Sequence, residues 1–466
     1  MGAVPKRKNL STLDRSFLAA ESRDVMMHVG GLLELAPTTW ASPDLARELR
    51  EELAAEPKVE SPWNLRLSHP ELLKSPVQAW VPDTSFELDY HVRRSALASP
   101  GDERELGILV SRLHSAPMDL HRPPWEAHFI EGLKENRLAM YFKVHHSFLD
   151  GYTGMRMLAR SLSTDPTDLR TPLFFTVPPE RERATIHGAK AEEPVPTLEA
   201  LLGAARDQVG VAKDFGRAIV NVVRTRRAED NGLLLSRKAP RSVLNQRITR
   251  SRRFATQQMS FDRLKRIAND SGGTINDVVL AICGTALRRF LLEQDALPER
   301  PLVAMVPVNV RPKDDPGGGN AVGAILATLA TDVDDPMRAL DTIIASTTPA
   351  KAQLQGMSKN AIIQYSALLL APMLLSFIPG AAGRVRPAFN VVISNVPGPD
   401  VPLYFRGWRL EESYPLSIPF HGYGLNITVQ SYAGLLNFGF IGCRDTLPHL
   451  QRLAVYSGDA VAALEG

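Results

Sequence analysis

From Leu138 to Val144 the chain reads Leu-Ala-Met-Tyr-Phe-Lys-Val, a strand-forming run. It then breaks at once into a dense polar cluster, Lys143-Val-His-His-Ser-Phe-Leu-Asp-Gly-Tyr-Thr-Gly154. Between Tyr152 and Leu162 the apolar residues Met155, Met157, Leu158 and Leu162 recur at helical spacing. Strand, polar turn, helix is therefore the local order, and open α/β sheets place ligands at such strand ends. Side chains alternate faces along an extended chain. Leu138, Met140, Phe142, Val144 and His146 fall on one face, and Tyr141, Lys143 and His145 on the other. His146 is thus expected on the apolar, buried side. Burial disfavours an imidazolium, so His146 is expected to be neutral near neutral pH and able to accept a proton.

The mixture of helix and strand continues on both sides of this cluster and places the chain in the α/β class. Val25 to Leu35 reads as a strand that includes His28. Ser11 or Thr12 caps a short helix before it. Ser42 to Ala54 reads as a helix opened by Ser-Pro-Asp. A second helix covers Leu106 to Ser115, and a Pro-broken loop from Met118 to Trp125 leads into a strand from Glu126 to Glu131. Beyond Val177 the text turns polar and Pro-rich, followed by a long helical pattern from Thr197 to Arg226. Residues 178–245 are read as an interdomain connection between units at 1–177 and 246–466, within the two or three domains that 466 residues allow. Helical patterns then cover Met259 to Asn269 and Thr274 to Leu292. Strands are expected at Leu302 to Val310, Ala321 to Thr331 and Asn390 to Ser394. The clearest hairpin joins Leu425–Tyr432 to Leu435–Cys443 through Ala433-Gly434, and Thr446 to Leu464 closes the chain as a helix.

Several function classes drop out. A net charge of +3 is too small to argue for nucleic acid. The basic residues Arg237, Lys238, Arg241, Arg247, Arg250, Arg252 and Arg253 form either a solvated face or an attractor for anionic phosphates or an anionic membrane surface. Cys283 and Cys443 lie in apolar segments and read as buried thiols. His145 and His146 are adjacent on a strand and point apart, so they cannot easily share a zinc ion, and no metal is expected. Gly317-Gly-Gly319 lacks the ending of a phosphate loop. No Gly-x-Ser-x-Gly elbow supports a serine acyl-enzyme. The N-terminus lacks an apolar signal core and misses the myristoylation pattern. The longest uncharged run, between Lys359 and Arg384, carries Gln364, Pro372, Pro379 and Gly380, and reads as a broken buried or membrane-facing helix rather than a span.

The pattern His145-His-Ser-Phe-Leu-Asp-Gly151 resembles the signature of the coenzyme-A-dependent acyltransferase superfamily, which includes chloramphenicol acetyltransferase and peptide-synthetase condensation domains. Three further blocks narrow the resemblance to the bacterial wax ester synthase/diacylglycerol acyltransferase family: Pro123-Pro-Trp-Glu-Ala-His-Phe-Ile-Glu-Gly-Leu133, Thr274-Ile-Asn-Asp-Val-Val-Leu280 and Phe389-Asn-Val-Val-Ile-Ser-Asn-Val-Pro-Gly-Pro399. It runs from about Leu10 to the last helix. One departure is Pro124, where the family usually has Leu.

The resemblance implies two chloramphenicol-acetyltransferase-like lobes with mixed sheets flanking a central substrate channel. The expected activity is transfer of a fatty acyl group from acyl-CoA to diacylglycerol, to a long-chain alcohol, or to both. Acyl-CoA is then a substrate and no cofactor is needed. His146 is the expected general base, and His145 is expected to hold structure or orient its neighbours. Asp150 is expected to pair with Arg311 and fix the loop, and Gly151 to free an N–H for the oxyanion. Asn276 and Asp277 match the family's Asn-Asp block, either capping the helix they open or touching substrate. His28 is either a hydrogen-bonded core residue or a contact of the acceptor pocket. The expected location is cytoplasmic, on the inner membrane face or on lipid droplets. Two alternatives stand beside this reading: acyl transfer from a carrier protein, and a catalytically silent lipid-surface protein.

Overall fold

The structure is a computed structural model that describes residues 8–75, 77–149, 154, 157–177, 239–309, 322–355 and 386–466. Asp150, Gly151 and Arg311, the helical pattern at 197–226 and the uncharged run at 360–383 lie outside the described residues. The first half comprises β1 (Lys8–Asn9), α1 (Thr12–Ala20), β2 (His28–Pro37), α2 (Leu45–Ala54), β3 (Leu65–Leu67), β4 (Ala79–Pro82), α3 (Leu88–His91), β5 (Val92–Ala96), α4 (Glu103–His114), β6 (Trp125–Glu131) and β7 (Leu138–His145). The second half comprises β8 (Arg252–Ser260), α5 (Phe261–Asp270), α6 (Ile275–Leu292), β9 (Val303–Asn309), β10 (Val322–Thr328) and α7 (Pro336–Gln355). It ends with β11 (Val391–Val396), β12 (Tyr404–Phe405), β13 (Trp408–Leu416), β14 (Leu425–Tyr432), β15 (Leu435–Cys443) and α8 (Gln451–Glu465).

Two six-stranded mixed sheets dominate, ordered β12-β13-β2-β7-β6-β5 and β10-β9-β11-β14-β15-β8. In the first, β7 is central and pairs antiparallel with β2 and β6. Every residue of β7 is buried. Leu138, Met140, Phe142 and Val144 join a core with Trp63, Trp125 and Phe174, whereas Ala139 and Tyr141 join another with Leu32, Leu106 and Phe254. The sheet is covered on both faces, so alternation along β7 separates two cores rather than core from solvent. Gly31 in β2 belongs to this packing, because a Cβ there would lie 2.5 Å from the Phe142 ring that crosses it.

In the second sheet β11 runs parallel to β9 and β14, and the hairpin β14–β15 pairs in full register around Ala433-Gly434, both at positive φ. The helix α6 supplies a large share of that lobe's apolar core and is buried along Val278–Gly284. The two sheets meet where β13 lies against β14 and β15. Ser413 Oγ donates to Gln430 Oε1 at 3.0 Å, and Tyr432 Oη donates to the Leu410 carbonyl at 2.8 Å. A Cβ on Gly439 would stand 2.0 Å from the Pro415 carbonyl, so the two sheets come together at backbone distance there. The free edge of β8 is capped from the first lobe: Arg252 and Phe254 donate their N–H groups to Ser115 Oγ and Ser111 Oγ of the α4 region, at 2.8 and 2.9 Å. Unpaired strand edges invite association, and these hydroxyls close one.

Candidate active site

The strand β7 delivers His145 as its last residue, opposite His28 of β2, and His146 follows in the turn. Three backbone bonds fix the exit: His145 N–H to the Pro124 carbonyl (2.9 Å), His146 N–H to the Met27 carbonyl (2.7 Å) and Phe148 N–H to the His145 carbonyl (2.9 Å). Position 124 contributes a carbonyl to this arrangement, which proline supplies as well as leucine.

The burial of the two imidazoles is the reverse of the expectation. His145 is fully buried and His146 only half-buried. The physical reason is the two-sided burial of β7, which hides His145, while His146 lies past the strand end. The ring of His146 stacks on Phe17 of α1, with centroids 4.2 Å apart and planes at 26°. His145 Nδ1 receives the Ser147 N–H at 3.2 Å and lies 2.6 Å from Ser147 Oγ. Its Nε2 faces Glu21 Oε2 at 3.4 Å. Glu21, at the C-terminal cap of α1, also accepts the Met27 N–H at 2.5 Å.

Behind the histidines lies a buried polar layer. His28 donates from Nε2 to the His114 carbonyl at 3.0 Å, and His114 Nδ1 shares a hydrogen bond with Tyr141 Oη at 2.8 Å. His28 is thus a hydrogen-bonded core histidine. Burial, with His114 and Lys143 beside it, holds His28 well below the usual histidine range. Burial and the charges of Lys143 and Arg252 push His114 down to about 3. Lys143 is buried with its ammonium on the Leu113 and Ala116 carbonyls, 3.2 and 2.9 Å away, and 3.4 Å from Glu126. Burial lowers Lys143, against the pull of Glu126. Arg252 departs from both readings of the basic run. It is buried, and it donates to the carbonyls of Thr249 and Asp24. Burial brings its guanidinium down to about 10, against Cys443, Asp24 and Glu21.

Asn276 and Asp277 stand elsewhere, at the start of α6. Asp277 closes a capping box with Thr274, accepts the Thr347 hydroxyl at 2.6 Å and pairs with Lys351 at 3.0 Å. Asn276 lines a cavity of about 550 Å³ together with Phe261, Lys351, Asn395 and Pro397. Among the described residues, one trio of carboxylates lies close enough to hold a metal ion: Glu34, Glu103 and Glu412. Arg137 pairs with all three, at 3.2, 2.9 and 3.8 Å, and so supplies the positive charge there. Sequence reasoning passed over Phe17, Glu21 and Ser147. A signal existed for Glu21, since a carboxylate at a helix C-terminus opposes the helix dipole and asks for another reason to be there.

The fold is that of the histidine-motif acyltransferases. The first condensation domain of the CDA synthetase superposes with a TM-score of 0.51 over 99% of this chain and 98% of that one, at 17% identity, a likeness of fold. A wax ester synthase/diacylglycerol acyltransferase from Marinobacter aquaeolei superposes with a TM-score of 0.80 at 39% identity, covering 98% of both chains. A Mycobacterium tuberculosis protein provisionally named a diacylglycerol O-acyltransferase is 54% identical over 98% of this chain and 97% of its own. The wax ester synthase/diacylglycerol acyltransferase catalytic domain matches residues 10–279, and the C-terminal domain of the same family matches residues 318–465. The chain belongs to the wax ester synthase/diacylglycerol acyltransferase family and is an O-acyltransferase.

Proposed function

We propose that the protein transfers a fatty acyl group from acyl-CoA to the hydroxyl of diacylglycerol or of a long-chain alcohol, with His146 as general base. The observation that carries this reading is the setting of His146: its backbone is held by Met27, its ring is stacked on Phe17, and it lies half-buried just past a strand end. Histidine suits the task because its ordinary pKa lies near ambient pH. His146 takes the proton from the acceptor hydroxyl as that oxygen attacks the thioester carbonyl carbon. The carbon–sulfur bond then breaks, and the departing thiolate takes the proton from His146. The products are an ester and coenzyme A, and the reaction needs neither a covalent acyl-enzyme nor a cofactor.

Asp150 holds the loop by pairing with Arg311, and Gly151 offers its N–H to the oxyanion. These assignments rest on the family pattern. The protein associates peripherally with the inner membrane face or with lipid droplets. Supporting this are the uncharged residues from Asn360 to Gly383, interrupted by Pro372 and Pro379, and the neighbouring cations Lys359, Arg384 and Arg386. Among the described residues no helix is long and apolar enough to cross a membrane.

The test is turnover of palmitoyl-CoA with hexadecanol and with dioleoylglycerol side by side. His146→Ala is expected to lose at least about 10²-fold of either activity while staying folded, the usual contribution of a positioned base. Near-normal turnover by a folded His146→Ala protein would falsify this mechanism.

A further inference from the structure

The proposed reaction makes no use of Glu21, yet the supports of both histidines converge on it. Ser147 N–H points at His145 Nδ1, so that nitrogen is an acceptor. A neutral His145 therefore carries its proton on Nε2, the nitrogen that faces Glu21 Oε2 at 3.4 Å. The same Oε2 receives the Met27 N–H at 2.5 Å, and the Met27 carbonyl receives the His146 N–H at 2.7 Å. One carboxylate oxygen thus anchors the residue that holds the His146 backbone, and faces the ring next to it in sequence. The Glu21 N–H in turn bonds to the carbonyl of Phe17, whose ring stacks on His146. His145 is 2% exposed at its side chain and Glu21 15%, so little water is at hand to replace the carboxylate.

The helix does not explain the residue. Glu21 sits at the C-terminal cap of α1, where exposed carbonyls disfavour negative charge. Around it stand the Met27 N–H, which bonds to it, the His145 Nε2 at 3.4 Å and, more remotely, the buried guanidinium of Arg252 from β8.

We propose that Glu21 is a positioning residue of the acyl transfer. It holds the Met27 peptide and sets its charge against the Nε2 side of His145, and through them it fixes the placement of the His146 ring. The inference rests on the reading of His146 as the base. Misplacing a catalytic group by about 1 Å costs on the order of 10²-fold, so a partial loosening is expected to cost about tenfold.

The experiment compares Glu21→Gln and Glu21→Asp, each alone and combined with His146→Ala, in steady-state turnover of palmitoyl-CoA and dioleoylglycerol alongside thermal unfolding. Glu21→Gln keeps an oxygen for the Met27 N–H and removes the charge facing His145. It is expected to lower kcat about tenfold with both KM values and Tm unchanged, and to add nothing in the His146→Ala background. Glu21→Asp keeps the charge one methylene further back and is expected to fall between Gln and wild type. It also decides the question if the Gln variant does not fold. An unchanged kcat in the folded Glu21 variants, with His146→Ala inactive, overturns the inference and leaves the base assignment standing. A raised KM and lowered Tm with normal kcat per folded molecule overturns it in favour of plain structural support. Normal turnover by His146→Ala removes the base, and the inference falls with it.

Discussion

His114 is kept free of a proton by its surroundings: it is fully buried and lies near the charges of Lys143 and Arg252. Its folded-state pKa is about 3 against an ordinary 6.5. The sign follows from which state binds the proton. Above pH 6.5 both states are neutral at this site and the stability is intact. Below it the unfolded chain takes a proton that the folded chain refuses, so stability falls by about 1.4 kcal/mol per pH unit for this residue, down towards pH 3. His28, held low chiefly by burial, adds in the same sense. In urea titrations between pH 6.5 and about pH 5, His114→Asn should show a slope of unfolding free energy against pH shallower by about one proton, whatever its stability at pH 7. An unchanged slope would refute the assignment. At this scale the sequence was partly legible. The histidine motif located the site, but strand alternation misjudged which imidazole is buried, because both faces of β7 are covered and no periodicity reports that. The contact between Glu21 and His145 joins residues too far apart in the chain for any spacing rule to connect.

The helix α6 shows what its first turn contributes. Asp277 at its third position completes the capping box with Thr274 and ties the helix to α7 through Thr347 and Lys351. Asp277→Ala is expected to cost about 3 kcal/mol: about 1 for the cap and about 2 for the charge-assisted bond to the buried Thr347 hydroxyl. Asp277→Asn should cost less, since an amide oxygen still accepts from either group. Chemical denaturation gives these values. If activity falls further than the folded fraction allows, Asp277 has a role in the chemistry as well. The helix was visible in the sequence because its cap and apolar run agree. So was the hairpin β14–β15, whose alternation is unbroken and whose turn residues both adopt positive φ. The strand β13 was missed for the opposite reason: a register shift between Leu410 and Glu412 breaks its two-residue period, and Pro415 lies inside it. The polar strand β8 was also missed. One of its edges pairs with β15 and the other is served by hydroxyls of the α4 region, so it needs little apolar pattern.

Taken whole, the molecule presses its two large sheets together along β13, with greasy substrates expected and no membrane-crossing helix among the described residues. The membrane association proposed above is by surface attachment. Carbonate or high salt should release much of the protein from a membrane fraction, whereas complete resistance with extraction by detergent alone would defeat the proposal. At the sheet junction, Gly439→Val should destabilise the whole protein rather than one lobe, because its side chain would collide with the Pro415 carbonyl of the other sheet. A single cooperative melt at lower Tm is the expected result, and two separate transitions would contradict it. The placement of β13 also sets a clock on biosynthesis. Trp408 pairs with Pro37, so about 370 residues of chain separate the partners. At about 5–20 residues per second, one edge of β2 waits roughly 20–70 s for the ribosome to deliver its neighbour. During that interval the nascent chain carries an unfilled slot in the sheet that bears its histidines, and the safe passage of that strand edge falls to whatever binds nascent chains in the cell.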